Sequence, residues 1–208
     1  MIRPSAAIPG VILAGGLATR LGGGDKTLLP LGEGRILDHV LARLRSQVAD
    51  VALNANGDAA RFAAYDLPVI PDSVAGFPGP LAGILAAMDW AAGRDAHSVV
   101  TVAGDTPFFP PDLVARLGEA GQGKSACPVI AATAEGWHPI FGLWPVGLRD
   151  DLRAALTGGA RRVMRWANER GARVAMFEAH PFDPFFNINT PDDLASARAM
   201  LGTEQRSR

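Results

Sequence analysis

Cysteine is nearly missing from this chain: Cys127 is the only one in 208 residues, so no intramolecular disulfide can form and no thiolate cluster can hold a structural metal. A reducing, cytoplasmic setting is expected. The four histidines, His39, His97, His138 and His180, are scattered, with no i,i+4 pair and no neighbouring acidic motif, which argues against a zinc enzyme. Excess charge of either sign is missing too. With 20 Lys and Arg against 21 Asp and Glu, no global field draws the chain to nucleic acid or to an anionic membrane, and an anionic ligand must be gripped locally. No hydrophobic run approaches the length that spans a bilayer. The apolar stretch from Ala6 to Ala18 follows Arg3 as a secretory signal would, but Pro9 and the Gly15-Gly16 pair interrupt it. Internal repeats and low-complexity linkers are also lacking. At 48% hydrophobic residues the chain can bury one sizeable core, so one domain is expected over residues 1–201, with a polar, disordered tail over residues 202–208.

Short apolar runs alternate with helical periodicities, the pattern of a largely parallel sheet flanked by helices. Ile8 to Leu13 predicts a buried first strand, and Ile36, Val40, Leu41 and Leu44 recur at helical spacing after a glycine-rich loop. Further strands are expected at Val51 to Leu53, Pro68 to Ile70, Ser98 to Ala103, Ala126 to Thr133, Pro139 to Trp144 and Arg173 to Glu178. A weak helix is expected around Ala59 to Ala64, and others at Leu81 to Trp90, Pro110 to Glu119, Val146 to Leu156 and Arg162 to Arg170. Thr190-Pro191-Asp192-Asp193 opens a last helix, with threonine at the cap and acids in the first turn. Gly15, Asn54, Asp72 and Asp105 all fall at or just past strand ends. Open α/β sheets bind ligands beyond the carboxyl ends of their strands, so these residues share one address.

The segment Leu13-Ala14-Gly15-Gly16-Leu17-Ala18-Thr19-Arg20-Leu21-Gly22-Gly23-Gly24-Asp25-Lys26 is the most informative. Its glycines let backbone amides approach an anion closely, and Arg20 and Lys26 add fixed positive charge, a combination that suits a triphosphate. Two common phosphate motifs fail here. A Walker loop needs glycine before the lysine, where this chain has Asp25, and a dinucleotide fingerprint starting at Gly22 would need glycine at Thr27.

The pattern LAGG-x-x-x-R-x-GG-x-DK instead resembles the signature loop of the molybdenum cofactor guanylyltransferases. Gly15 and Asp25 favour that branch over the wider nucleotidyltransferase superfamily, whose loop reads LAAG and lacks the aspartate. The resemblance covers Leu13 to about Leu194 and implies a three-layer α/β/α, Rossmann-like nucleotidyltransferase fold. It further implies transfer of GMP from GTP to a molybdopterin phosphate, with Mg²⁺ as cofactor. Leu13, Ala14, Gly15, Gly16, Lys26, Asn54, Asp72 and Asp105 would line the nucleotide site, and cofactor-insertion or chaperone proteins would be the protein partners.

Each candidate also has a plainer reading. Asp105 follows an apolar strand and precedes Thr106-Pro107-Phe108; locally it could be a turn or cap aspartate, whereas the family's Asp-Thr-Pro-Phe motif holds the metal. Asp72 could be a loop residue, but the segment Asp72 to Ile84, with Gly79-Pro80-Leu81-Ala82-Gly83, resembles the family's nucleotide-side loop. Asn54 could sit in an ordinary turn, and the resemblance implies contact with the nucleotide. Asn187 and Asn189 lie two apart, so in extended chain they face one side, and the N-x-N-T-P segment suggests contacts to acceptor or metal. Arg161, Arg162 and Arg165 could meet an anionic acceptor or form a solvated helical face. His138 matches a family position on the acceptor side, although a lone histidine is more often structural. Catalysis is expected from Lys26, Arg20 and Asp105. A cytidylyl- or sugar-nucleotide transferase on the same fold remains an alternative, as does a non-catalytic GTP-binding module.

Overall fold

The computed structural model describes residues 8–15, 25–74, 76, 79–122, 126–180 and 182–206. The strands are β1 (Gly10–Leu13), β2 (Pro30–Leu31), β3 (Gly34–Arg35), β4 (Val51–Asn54), β5 (Val69–Ile70), β6 (Ser98–Ala103), β7 (Val129–Thr133), β8 (Gly136–Pro145) and β9 (Arg173–Met176). The α-helices are α1 (Ile36–Arg45), α2 (Pro80–Ala92), α3 (Leu113–Gly121), α4 (Arg149–Thr157), α5 (Val163–Glu169) and α6 (Pro191–Arg206). Seven strands form one sheet in the order β5-β4-β1-β6-β8-β7-β9. β5, β4, β1 and β6 are parallel neighbours, β8 runs against both β6 and β7, and β9 is parallel to β7.

Alternation along the strands builds two cores, one on each face of the sheet. Ile12, Leu53, Val100, Val102 and Ala131 face one way and pack with α1, α3 and α6; Val11, Ala52, Val99 and Ile130 face the other and pack with α2, α4 and α5. That is the three-layer arrangement the sequence predicts. α2 is apolar nearly all round because it lies under the middle of the sheet, with nine of its residues buried.

Several boundaries move for local reasons. The helix expected from Pro110 begins at Leu113, since Pro111 disfavours helical dihedrals at the residue before it. The strand expected from Ala126 starts at Val129, just past Pro128, which has no N–H to give a ladder. The helix expected from Val146 divides into a 3-10 turn, Val146–Leu148, and α4. The tail is also corrected: α6 continues to Arg206, so residues 202–206 are helical. Helix propagation adds a bond for each residue fixed, and Ala, Glu, Gln and Arg are good formers.

One buried polar pair ties β6 to β8. The Trp144 indole N–H donates to Thr101 Oγ1 at 2.8 Å, and that hydroxyl donates to the Ile140 carbonyl at 2.5 Å. Thr101→Val keeps the shape and leaves the indole N–H without an acceptor, so a loss of about 1–3 kcal/mol is expected. A urea midpoint measurement checks it; an unchanged midpoint would mean the pair contributes nothing.

Candidate active site

The carboxyl ends of β1, β4, β5 and β6 open onto a cavity of about 990 Å³. Its wall includes Leu13, Ala14, Gly15, Lys26, Asn54, Asp72 and Asp105, so seven of the expected nucleotide-side residues meet there. Gly16 and Arg20 lie outside the described residues. The cavity also takes in the start of α2, with Gly79, Pro80 and Gly83, where unpaired backbone N–H groups give a helix its positive end.

Lys26 is the centre of the polar arrangement. Its Nζ donates to Asp105 Oδ2 and to Asn189 Oδ1, both at 2.6 Å, over sequence separations of 79 and 163. Two hard oxygens from distant parts of the chain therefore converge on one cation, the lysine ammonium. Thr106 Oγ1 donates to Asp105 Oδ1 at 3.2 Å and also to Asn187 Oδ1, while Ile188 N–H donates to the Asp105 carbonyl at 3.0 Å. The segment carrying Asn187 and Asn189 is thus laced to the loop after β6 along its backbone and side chains.

That segment is anchored at both ends. Phe185 is buried against Phe141 and Phe177, with ring centroids at 4.8 and 5.5 Å, and Phe182 packs on Phe108 at 5.5 Å. At the other end Thr190 Oγ1 accepts from Asp193 N–H at 3.1 Å, while Asp193 Oδ2 accepts from the N–H groups of Asn189 and Thr190, both at 2.8 Å. The Asn189 N–H first, then the Thr190 hydroxyl and N–H, hold the Asp193 carboxyl below the ordinary aspartate value. Capping therefore explains Thr190 fully, while the side-chain oxygens of Asn187 and Asn189 are taken by Thr106 and Lys26.

Asp72 is held from a second direction. Asn54 Nδ2 donates to its Oδ1 at 3.0 Å and to the Ile70 carbonyl at 3.2 Å, and Asn56 Nδ2 donates to its Oδ2 at 2.8 Å. Both donors of Asn54 are spent on protein, leaving Oδ1 as its acceptor. That oxygen would lie 2.5 Å from a Cβ at position 83, so Gly83 is required by close approach. Gly104 is required likewise, since a Cβ there would meet Thr27 Cγ2 at 2.8 Å and the Leu13 carbonyl at 3.2 Å. Ser73 and Arg153 both donate to Asp89 on α2, at 2.5 and 2.7 Å, which pins the loop carrying Asp72.

The expected acceptor residues divide. Asn187 and Asn189 join the Lys26 and Asp105 cluster. His138, Arg161 and Arg162 do not line the cavity. The His138 ring stacks on Phe185 at 4.1 Å, its Nε2 lies 3.3 Å from Thr133 Oγ1, and burial pushes its pKa down against the opposing charges of Asp183 and Glu135. Arg161 and Arg162 are exposed between α4 and α5, and Arg165 pairs with Glu169 at 3.3 Å as a solvated face would. Sequence reasoning did not single out Thr106, Asn56, Thr27 or Arg61. Thr27 Oγ1 is buried without a protein partner, and Arg61 sits in the cavity wall.

Among the described residues no cluster of three or more His, Cys, Asp or Glu side chains forms, and no helix is long and apolar enough to cross a membrane. A magnesium site does not need such a cluster, because one or two carboxylates with water and phosphate oxygens suffice. Asp105 with the Asn189 amide oxygen is a donor set of that kind.

Residues 10–174 match the family model of the MobA-like NTP transferase domain. The chain is 48% identical over 205 residues to a molybdenum cofactor guanylyltransferase of Bradyrhizobium sp. (strain ORS 278), covering 97% of each chain. It is 51% identical over 201 residues to the molybdenum cofactor guanylyltransferase of Rhodopseudomonas palustris (strain HaA2), covering 95% of this chain and 94% of the relative. Among solved structures it resembles molybdopterin-guanine dinucleotide biosynthesis protein A from Archaeoglobus fulgidus, with a TM-score of 0.73, 25% identity, and coverage of 94% of this chain and 100% of the other.

Proposed function

The chain belongs to the MobA-like NTP transferase domain family, and we infer that it transfers GMP from GTP to the phosphate of molybdenum-molybdopterin, forming molybdopterin guanine dinucleotide and releasing pyrophosphate. The observation that carries this reading is the convergence of Lys26, Asp105 and Asn189 beside a cavity whose wall includes the signature loop's two described ends, Leu13 to Gly15 and Asp25-Lys26.

In this reaction an acceptor phosphate oxygen forms a bond to the α-phosphorus while the bond from that phosphorus to the bridging oxygen breaks, and the electron pair leaves with pyrophosphate. The acceptor is the nucleophile, so no covalent enzyme intermediate is needed. Leu13 to Gly15, the start of α2 and Lys26 receive the nucleotide, with the lysine exchanging its contacts to Asp105 and Asn189 for phosphate oxygens. Asp105 and Asn189 would hold Mg²⁺, which supplies Lewis-acid neutralisation of phosphate charge when bound. Asn54 and Asn56 keep Asp72 pointed at the nucleotide side. The acceptor enters from the side of Asn187. Arg161 and Arg162, exposed in the connection between α4 and α5, are the cations we assign to the acceptor's anionic groups.

The test is pyrophosphate release by purified protein with Mg²⁺ and molybdopterin acceptor, comparing GTP, CTP, ATP and UTP. Release with GTP alone is expected. Release with CTP in its place would move the protein to the cytidylyl branch, and GTP binding without release would make it a binding module.

A further inference from the structure

Arg61 belongs to no motif in the sequence, yet it borders the nucleotide cavity from the 3-10 turn Ala59–Tyr65. Its guanidinium meets protein groups at all three nitrogens, although Nε has an ion-pair contact and no hydrogen bond. Nη1 donates to the Asp58 carbonyl at 2.5 Å, Nη2 to the Asn56 carbonyl at 2.7 Å, and Nε forms an ion pair with Asp25 Oδ2. The group also lies over the Phe62 ring, 4.7 Å from its centroid.

Its partner is the unusual member of the pair. Asp25 occupies the N-cap of the 3-10 turn Lys26–Leu28, where an aspartate would ordinarily accept a backbone N–H, but its side chain makes no capping bond and turns to Arg61 instead. Asp25 also lines the cavity, one residue before the lysine expected to meet phosphate. A bare carboxylate there would repel a polyphosphate, and at separations of a few ångströms that repulsion is of order 1 kcal/mol or more near a protein surface.

We propose that Arg61 is a positioning residue for nucleotide binding: it cancels the charge of Asp25 and fastens the residue before Lys26 to the Asn56–Asp58 loop, so that the cavity wall accepts a polyphosphate. The proposal rests on the nucleotidyltransferase reading for its ligand. It separates two kinds of cation in one cavity. Lys26 is paired with groups it can exchange for phosphate, whereas Arg61 serves the protein.

The test is nucleotide binding by calorimetry, without acceptor, for the wild type, Arg61→Gln, Asp25→Asn and the double variant. Arg61→Gln keeps an amide donor and uncovers the carboxylate, so GTP binding is expected to weaken by about tenfold or more. Asp25→Asn should weaken it less. The double variant should bind better than Arg61→Gln alone, because the uncovered charge is gone, and raising the salt should narrow the gap between the wild type and Arg61→Gln. A residue with a merely structural role would make the double variant at least as weak as the single one. That ranking, or wild-type affinity in Arg61→Gln, would overturn the proposal. If the wild type binds CTP and not GTP, the guanylyl reading fails, and the same ranking measured with CTP still decides the role of Arg61.

Discussion

Lys26→Ala is expected to lower pyrophosphate release by about 10²- to 10³-fold, the usual cost of removing one preorganised donor from developing negative charge. The structure adds a second, opposite effect. Because the ammonium sits on Asp105 Oδ2 and Asn189 Oδ1, at 2.6 Å from each, the lysine would compete with a metal for those oxygens in the free protein if they form the proposed cation site. Removing it should therefore make the free variant bind Mn²⁺, used as a spectroscopic stand-in for Mg²⁺, more tightly than the wild type while turnover falls. Electron paramagnetic resonance titration measures the first quantity and pyrophosphate release the second. Weaker Mn²⁺ binding in the variant would show that the oxygens do not form a cation site once the lysine is gone.

Asp105→Asn should be still more damaging. The substitution preserves size and one carbonyl acceptor but removes the charge that pairs with Lys26 and would hold the metal. A loss of about 10³-fold is expected, equivalent to ~4 kcal/mol of barrier, together with loss of the Mg²⁺ dependence of whatever turnover persists. Thr106, Asn187 and the Ile188 N–H should keep the loop after β6 in place, since the last of these binds the Asp105 carbonyl and not its side chain. Near-normal turnover in Asp105→Asn would remove the metal from this carboxylate and require another ligand.

The legible part of the site was local. Lys26 follows a glycine loop, Asn54, Asp72 and Asp105 follow short apolar runs, and a strand end followed by a turn is written in consecutive residues. The capping of Thr190 was legible for the same reason, since its partner Asp193 is three residues away. What escaped were contacts between distant segments of ordinary composition. Arg61 sits among alanines with no turn or phosphate signature, and its partner Asp25 is noticed only as part of the loop. The His138 ring could not be placed under Phe185 from sequence, because the irregular register that sets Ala131 opposite His138 lies within the β7–β8 ladder.

By itself, then, the sequence determined the layered α/β architecture and the address of the site, because hydrophobic period and strand-end chemistry are properties of neighbouring residues. Tertiary structure decided the rest. The placement of antiparallel β8 between β6 and β7, the meeting of Asn189 with Lys26, and the cancelling of Asp25 by Arg61 arise only when segments far apart in the chain are packed on one sheet. A hydrogen bond or ion pair depends on distances of a few ångströms, and no spacing along the sequence sets such distances between residues that lie on different elements.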